Sequence, residues 1–370
     1  MRTFIVRAAA LALLALLLTP ISRAQTPAQT PAQTPAKPWP IRAVIVTTFE
    51  IGADTADTPG EFQFWVEREH LSETLPFPGG PLDAHDPSGT HPLRTNPDHT
   101  ILGMVSGTTL VNATASMMAL GLDPRFDLTH AYILINGIAG VDPAVASIGS
   151  AAWANFVVND VAREIDPREA PSDWPYGIFP SGALRPAPDA VPQTAWARSN
   201  LYTLNPSLTA WAYAQTKDLP LGDDPVVAAY RAGFTNHPAA RRPPFVLIGA
   251  TFSSDYYWHG RIMTQYARDW VHLYTAGRGT FTTSQMEDAG FLNAIERLNN
   301  LHRVDANRVL VLRSASNFTE QRPNHTAAET ITEPYIGSRL ALESAYRCGS
   351  TVLHKLLADW PSTFARIPAN

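Results

Sequence analysis

Short apolar runs alternate along this chain with stretches in which apolar residues recur every third or fourth position. Residues 42–47, 101–105, 131–135, 245–250 and 308–313 are aliphatic-rich runs ending in polar or glycine-rich residues, the pattern of strands buried on both faces. Helical patterns lie between them. Residues 110–120 are rich in Ala and Met, residues 144–161 are mostly apolar with small side chains, and Phe291, Ile295, Leu298 and Leu301 recur at helical spacing. Residues 335–358 read as a C-terminal helix with Leu340, Leu342, Val352, Leu353, Leu356 and Leu357 as its apolar positions. Strands alternating with helices predict an α/β layered sheet. Such folds collect ligands at the carboxyl ends of strands, which is where residues 47–50, 106–107, 136–140, 251–255 and 314–317 place their polar groups and glycines. Five strands ending in polar turns predict one shared pocket.

The ends and insertions refine this picture. Arg2 and Arg7 flank an apolar run at residues 8–18, too short to span a bilayer, and Ser22-Arg23-Ala24 offers the small residues that a signal peptidase reads. Residues 1–24 are expected to be a signal peptide cleaved before Gln25, giving a periplasmic or secreted protein. Gln-Thr-Pro-Ala then repeats to Ala36, so residues 25–40 read as a disordered linker and residues 41–370 as the domain. Two Pro-rich insertions, near 58–98 and 166–192, contain Trp65, Trp174, Tyr176 and Phe179, which predicts that they pack in order beside the pocket. No later stretch approaches the ~20 apolar residues of a spanning helix.

Charge and cysteine content narrow the chemistry. The chain has 28 basic and 33 acidic residues, and loss of Arg2, Arg7 and Arg23 with the leader leaves 25 against 33. With no basic cluster, nucleic acid is not the expected partner. The single cysteine, Cys348, sits in an apolar helical pattern, so it reads as a core residue, and neither an internal disulfide nor a thiolate zinc site is available. Asp83, His85, Asp86 and His91 lie in a Pro/Gly-rich stretch with no spacing to converge them on a metal, and they read as surface loop. No cofactor motif, nucleophile elbow or His-Glu-x-x-His is present.

Four blocks carry a resemblance. Tyr132-Ile-Leu-Ile-Asn-Gly-Ile-Ala-Gly-Val-Asp-Pro143, Thr251-Phe-Ser-Ser-Asp-Tyr-Tyr-Trp258, Gln285-Met-Glu-Asp-Ala-Gly290 and Arg313-Ser-Ala-Ser-Asn317 resemble, in order and spacing, the glycine turn, purine-contacting segment, Met-Glu turn and closing strand end of the nucleoside phosphorylase superfamily. With the leader and the Pro-rich insertions, the chain is most similar to the branch called purine nucleoside permeases. The resemblance implies a single three-layer domain with a mixed central sheet flanked by helices. It implies that Glu287, beside Met286, accepts hydrogen bonds from the ribose hydroxyls, as an acceptor-only carboxylate can. A helix-terminal charge favoured by the macrodipole is the other reading of Glu287. Asn317 falls where the superfamily contacts purine N7, with Ser316 fixing its loop; a donor there stabilises charge as the base departs. Phe252 is the candidate stacking platform or a core ring, and Tyr256 and Trp258 are further candidates. Ser106, Gly107, Asn136 and Gly137 lie where backbone turns let sugar or phosphate approach, and Glu50 is the candidate base at the first turn.

One departure matters. The superfamily's phosphate ligands fall at Ile135 and Ile138, so phosphorolysis is disfavoured. The resemblance therefore implies a purine nucleoside-binding protein associated with nucleoside uptake, working with a membrane transport partner. The alternative is a phosphate-independent purine nucleoside N-ribosyl hydrolase. The ordered blocks argue against a structural or adhesion module. Superfamily members are commonly oligomers, so a homo-oligomer is expected.

Overall fold

Every one of the five apolar runs forms a strand, and the odd–even division of their side chains explains the layers. A computed structural model describes residues 37–78, 91–181 and 199–369, with Pro38–Asn370 clustering as one compact unit. The main strands are β1 (Ala43–Thr47), β2 (Ile101–Val105), β3 (Tyr132–Val141), β4 (Ala151–Asn159), β5 (Val246–Ser253), β6 (Phe281–Gln285) and β7 (Val309–Phe318). The principal helices are α1 (Thr109–Leu122), α2 (Pro206–Thr216), α3 (Arg261–Thr275), α4 (Asp288–Asn300) and α5 (Ser338–Ala358). Successive strand residues point to opposite faces. Thus Val44, Val46, Ile133, Ile135, Val309 and Val311 pack with Met117 and Leu120 of α1 and Phe291, Ile295 and Leu298 of α4. Ala43, Ile45, Leu134, Leu310 and Leu312 pack on the other face with Cys348, Val352, Leu353 and Leu356 of α5. This is the mixed central sheet flanked by helices that the resemblance implied.

Pairing is parallel for β1–β2, β1–β3, β3–β7, β4–β5 and β5–β6, and antiparallel for β6–β3 and β7–β4. Strands β4, β5, β6, β3 and β7 therefore close on themselves, which removes the edges that an open sheet leaves unpaired. Closure lengthens the strands. Residues 136–140, 251–253 and 314–317, expected as turns, are strand, because β3 and β7 stay paired from Val309↔Ile133 to Phe318↔Val141 around one irregularity near Ala315, and β5 stays paired with β4 and β6 as far as Ser253.

The expected helix at 144–161 is instead a turn followed by β4. Eight of the nine residues of β4 are buried, so neither a polar alternation nor a helical stripe marks them. The domain also begins before Ile41: Trp39–Pro40 pairs with Phe126–Asp127, and the Trp39 ring stacks on His99 at 3.6 Å. Within the insertions, Trp65, Trp174 and Phe179 are buried as expected. The signal-peptide expectation, the linker to residue 36, and Asp83, His85 and Asp86 lie outside the described residues.

Candidate functional site

The segment Gln285-Met286-Glu287-Asp288 is locked by its own hydrogen bonds. The Gln285 side-chain oxygen accepts from the backbone N–H groups of Glu287 (2.7 Å) and Asp288 (2.8 Å), satisfying donors left open at the start of α4. The Ser253 hydroxyl at the end of β5 accepts from Ala289 N–H at 3.1 Å. Glu287 is thereby held at 5% exposure, facing the turn that follows β2. Gly107 supplies that turn with a left-handed φ of +80°, which favours glycine. Behind it, Thr109 N–H at the start of α1 points to Glu287 at 3.4 Å, and Leu110 N–H donates to Asp255 at 2.9 Å. The carboxylate thus lies where two helices begin, the placement that the helix-terminal reading of Glu287 expects, and its neighbour Met286 lines the adjoining cleft.

Glu287 belongs to a buried ionic cluster. Arg313 of β7, 1% exposed, donates to Asp288 at 2.5 Å and to Glu287 at 3.3 Å, and lies 3.8 Å from Glu61. Glu61 accepts from Thr48 N–H and O–H, both at 2.8 Å, and from Ile138 N–H at 2.7 Å. Gly137 makes this packing sterically feasible, since a Cβ there would run into the Glu61 carboxylate and the Arg313 guanidinium. Burial raises the Glu287 pKa to about 7; Arg313 opposes the rise, while Glu61 and Asp288 add to it. Burial also raises Glu61, against Arg313 and its backbone donors. Burial alone would lower Arg313, but the three carboxylates hold its pKa above the ordinary value.

The adjoining cleft is neutral and aromatic. Tyr256, Tyr257 and Trp258 line it with Met286, Asn317, Thr319 and Gly140 of β3. Ser316 Oγ is 2.8 Å from Asn317 Oδ1. The same hydroxyl lies 3.2 Å from Ala139 C=O, and the Asn317 amide donates to Phe318 C=O at 3.4 Å, with the amide orientation assigned from these contacts.

The sequence-derived candidates divide sharply. Glu287 and Gly137 lie at the ionic cluster, Met286 and Asn317 line the cleft, and Ser316 contacts Asn317. Ser106 and Gly107 contribute a turn, but the Ser106 hydroxyl donates to Gly107 C=O at 2.8 Å and is fully buried. Three expectations are corrected. Asn136 faces α5, where its amide donates to Ala345 C=O at 3.0 Å and accepts from Trp65 Nε1 at 3.2 Å, because residue 136 lies on the opposite face of β3 from Gly137. Phe252 is fully buried as a core ring, edge-on to Trp258, Tyr266 and Phe281, so the aromatic wall falls to residues 256–258. Glu50 is no free base: its oxygens accept from the N–H groups of Ile51, Gly60, Phe62 and Gln63, and its pKa is raised by burial against those donors. Its role is to fold the loop that delivers Glu61. Glu50→Gln turns an NH₂ toward two of those donors and is expected to cost about 1–3 kcal/mol of stability, read by denaturant unfolding. Ligand affinity of the folded variant should stay within about twofold; a larger loss would return Glu50 to the site.

Two site residues escape the sequence. Arg313 reads there only as part of a strand end, although it is the cation of the cluster. Glu61, not Glu50, brings the first strand's carboxylate to Glu287. A Gly-Glu pair after a long loop carries no periodic signal; its only mark is Gly60, whose absent Cβ lets the backbone close on Glu50.

Among solved structures, a 5′-methylthioadenosine/S-adenosylhomocysteine nucleosidase of Helicobacter pylori aligns over 85% of this chain and 99% of its own, with 14% identity and a TM-score of 0.48. A purine nucleoside permease of Candida albicans is 25% identical over 329 residues, 87% of this chain and 76% of its own. A probable purine nucleoside permease of Schizosaccharomyces pombe is 35% identical over 275 residues, 72% of this chain and 79% of its own. The family described as purine nucleoside permease matches residues 40–368, and the chain belongs to that family.

Proposed function

We propose that this protein is exported, that it binds purine nucleosides, and that it serves their uptake with a separate membrane protein providing the path. The observation that carries the reading is the turn Gln285-Met286-Glu287: Gln285 holds the backbone of Glu287, the buried Glu287 carboxylate pairs with Arg313, and Gln285 and Met286 line a cleft walled by Tyr256, Tyr257 and Trp258. A carboxylate can accept from two adjacent ribose hydroxyls, and a neutral aromatic cleft gains dispersion against a purine. The family's description and the names of its yeast members support the same ligand class. No helix among the described residues is long and apolar enough to cross a membrane. Removal of residues 1–24 would release the protein to the periplasm or the medium.

Phosphorolysis is disfavoured on electrostatic grounds. Arg313 is present, but Asp288, Glu287 and Glu61 already answer its charge. A phosphate dianion would meet a carboxylate excess in a desolvated place. The second reading is hydrolysis at C1′. Its support is the pair of buried carboxylates with raised pKa values, Glu61 and Glu287, which lets one group near the ligand carry a proton close to neutral pH.

The deciding experiment incubates purified protein from Gln25 onward with inosine and adenosine, with and without phosphate, beside Glu287→Ala. Calorimetric binding without base release, lost by at least tenfold in the variant, is the expected result. Base release independent of phosphate would establish the hydrolase instead. Phosphate-dependent release would overturn the electrostatic argument, and absence of both binding and release would end the nucleoside reading.

A further inference from the structure

Trp258 borders the cleft with Asn317 and Thr319, yet only 8% of it is exposed. Its indole packs edge-on to Phe252 with ring centroids 5.9 Å apart and tilts against Phe281 at 6.1 Å, so two buried rings hold its orientation. The backbone on either side is pinned as well. Ser254 N–H donates to Gln285 C=O at 3.0 Å, and Gly260 N–H donates to Thr319 C=O at 2.9 Å. Between them, His259 Nε2 meets the Thr330 hydroxyl at 2.8 Å. Held in this way, the Trp258 Nε1–H is buried and has no acceptor among the described residues.

An indole N–H only donates, and a buried donor without an acceptor is destabilising and uncommon in folded proteins. Its buried neighbours in the cleft show no such deficit. The Gln285 oxygen accepts from Glu287 and Asp288 N–H, and its amide donates toward Thr251 Oγ1 and Phe252 C=O. The Thr319 hydroxyl lies 3.0 Å from Thr264 Oγ1 and 3.4 Å from Val141 C=O. We propose that Trp258 is a specificity-determining residue whose indole N–H is held for the oxygen at C6 of a purine, so that the cleft selects 6-oxopurine over 6-aminopurine nucleosides. The inference rests on the nucleoside-binding reading and adds to it the class of base that is taken.

The edge of the base follows from Asn317, which by its resemblance falls at purine N7. The 6-substituent is the next group along that edge, an oxygen acceptor in a 6-oxopurine and an amine donor in adenine. Asn317 and Trp258 wall the same cleft, so a base whose N7 meets the first turns its 6-position toward the second. An amine there sets donor against donor and leaves both unpaired, a heavier loss than a missing group. Because Phe252 and Phe281 fix the indole before a ligand arrives, little further ordering is required to form the bond.

Inosine, purine riboside and adenosine test this, because they share the ribose and carry oxygen, hydrogen and an amine at C6. Calorimetry at pH 7.5 on the protein from Gln25 onward is expected to show inosine binding about fivefold more tightly than purine riboside, the yield of one hydrogen bond, and at least tenfold more tightly than adenosine. Trp258→Phe keeps an aromatic ring and loses the donor, so it should bring inosine within about twofold of purine riboside, whose own affinity reports whether the cleft is intact. A magnetic resonance signature is independent of these ratios. With the indole nitrogens isotopically labelled, the signal missing from Trp258→Phe identifies residue 258 among the nine tryptophans. Saturating inosine should move that signal downfield of its position with purine riboside. Adenosine binding as tightly as inosine overturns the proposal on the wild-type protein alone. An inosine preference that survives in Trp258→Phe overturns it too, as does an indole signal that the two ligands leave at one position. If none of the three binds, the nucleoside reading fails and takes this inference with it, a result distinct from equal binding of all three.

Discussion

Arg313→Met is expected to destabilise the fold by about 3–5 kcal/mol, the usual cost of removing one partner from a buried ion pair and leaving its counter-charges in place. The guanidinium stands within 3.8 Å of three carboxylates, and both it and Asp288 are essentially excluded from solvent. Methionine fills much of the volume, so the loss reports charge rather than a cavity. The dependence on pH distinguishes this cause from packing. Without the cation, Glu61, Glu287 and Asp288 repel one another, and acid relieves that repulsion by protonating Glu61 and Glu287, which burial already raises. The gap between variant and wild type in denaturant unfolding should therefore be widest near pH 8 and shrink toward pH 5. Arg313→Lys keeps the charge but loses the planar fork that reaches Asp288, Glu287 and the Ile138 carbonyl together, so an intermediate loss is expected. A methionine variant within about 1 kcal/mol of wild type at pH 8 would mean that the cluster is solvated and that its electrostatics do not govern the site.

That cluster also shows where the sequence stops being legible. The strands around it are readable because a short apolar run bounded by polar residues fits little else in an α/β chain, and the period-two division of Val44 and Val46 from Ala43 and Ile45 follows from geometry. Ala151–Asn159 reads as helix in the sequence because burial on both faces erases alternation and its small residues mimic a helical stripe. The closed path through β4, β5, β6, β3 and β7 depends on pairings between segments more than 100 residues apart, of which no local pattern speaks. Individual site residues follow the same division. Glu287, Met286, Ser316 and Asn317 stand in contiguous motifs and are visible there. Glu61 and Arg313 acquire their role only when four chain segments meet, and Glu50 draws the eye before Glu61 because it adjoins the strand. Asn136 and Gly137 are neighbours in sequence and face opposite layers, a distinction set by strand phase that a motif match does not carry.

The second large effect concerns Glu287 and runs in opposite senses for binding and stability. With a pKa of about 7 in the folded protein, against 4.5 for the ordinary side chain, the carboxyl is about half ionised at neutral pH. The ribose hydroxyls need the ionised acceptor, so nucleoside affinity should rise by about tenfold between pH 6 and pH 8 and level off above that. Glu287→Gln should flatten the profile and weaken binding at pH 8 by about ten- to a hundredfold, since a neutral amide gives up a charge-assisted bond. Stability moves the other way. The folded chain holds a proton at Glu287 that the unfolded chain releases near pH 4.5, so this group's contribution is complete below that pH and is lost as pH rises through about 7. Ligand reverses the penalty by donating hydrogen bonds to the charged form, so saturating adenosine should raise the unfolding midpoint more at pH 8 than at pH 6. A wild-type affinity that is flat from pH 6 to pH 8 would mean that Glu287 holds its charge throughout, and that Arg313 outweighs the desolvation of the pocket.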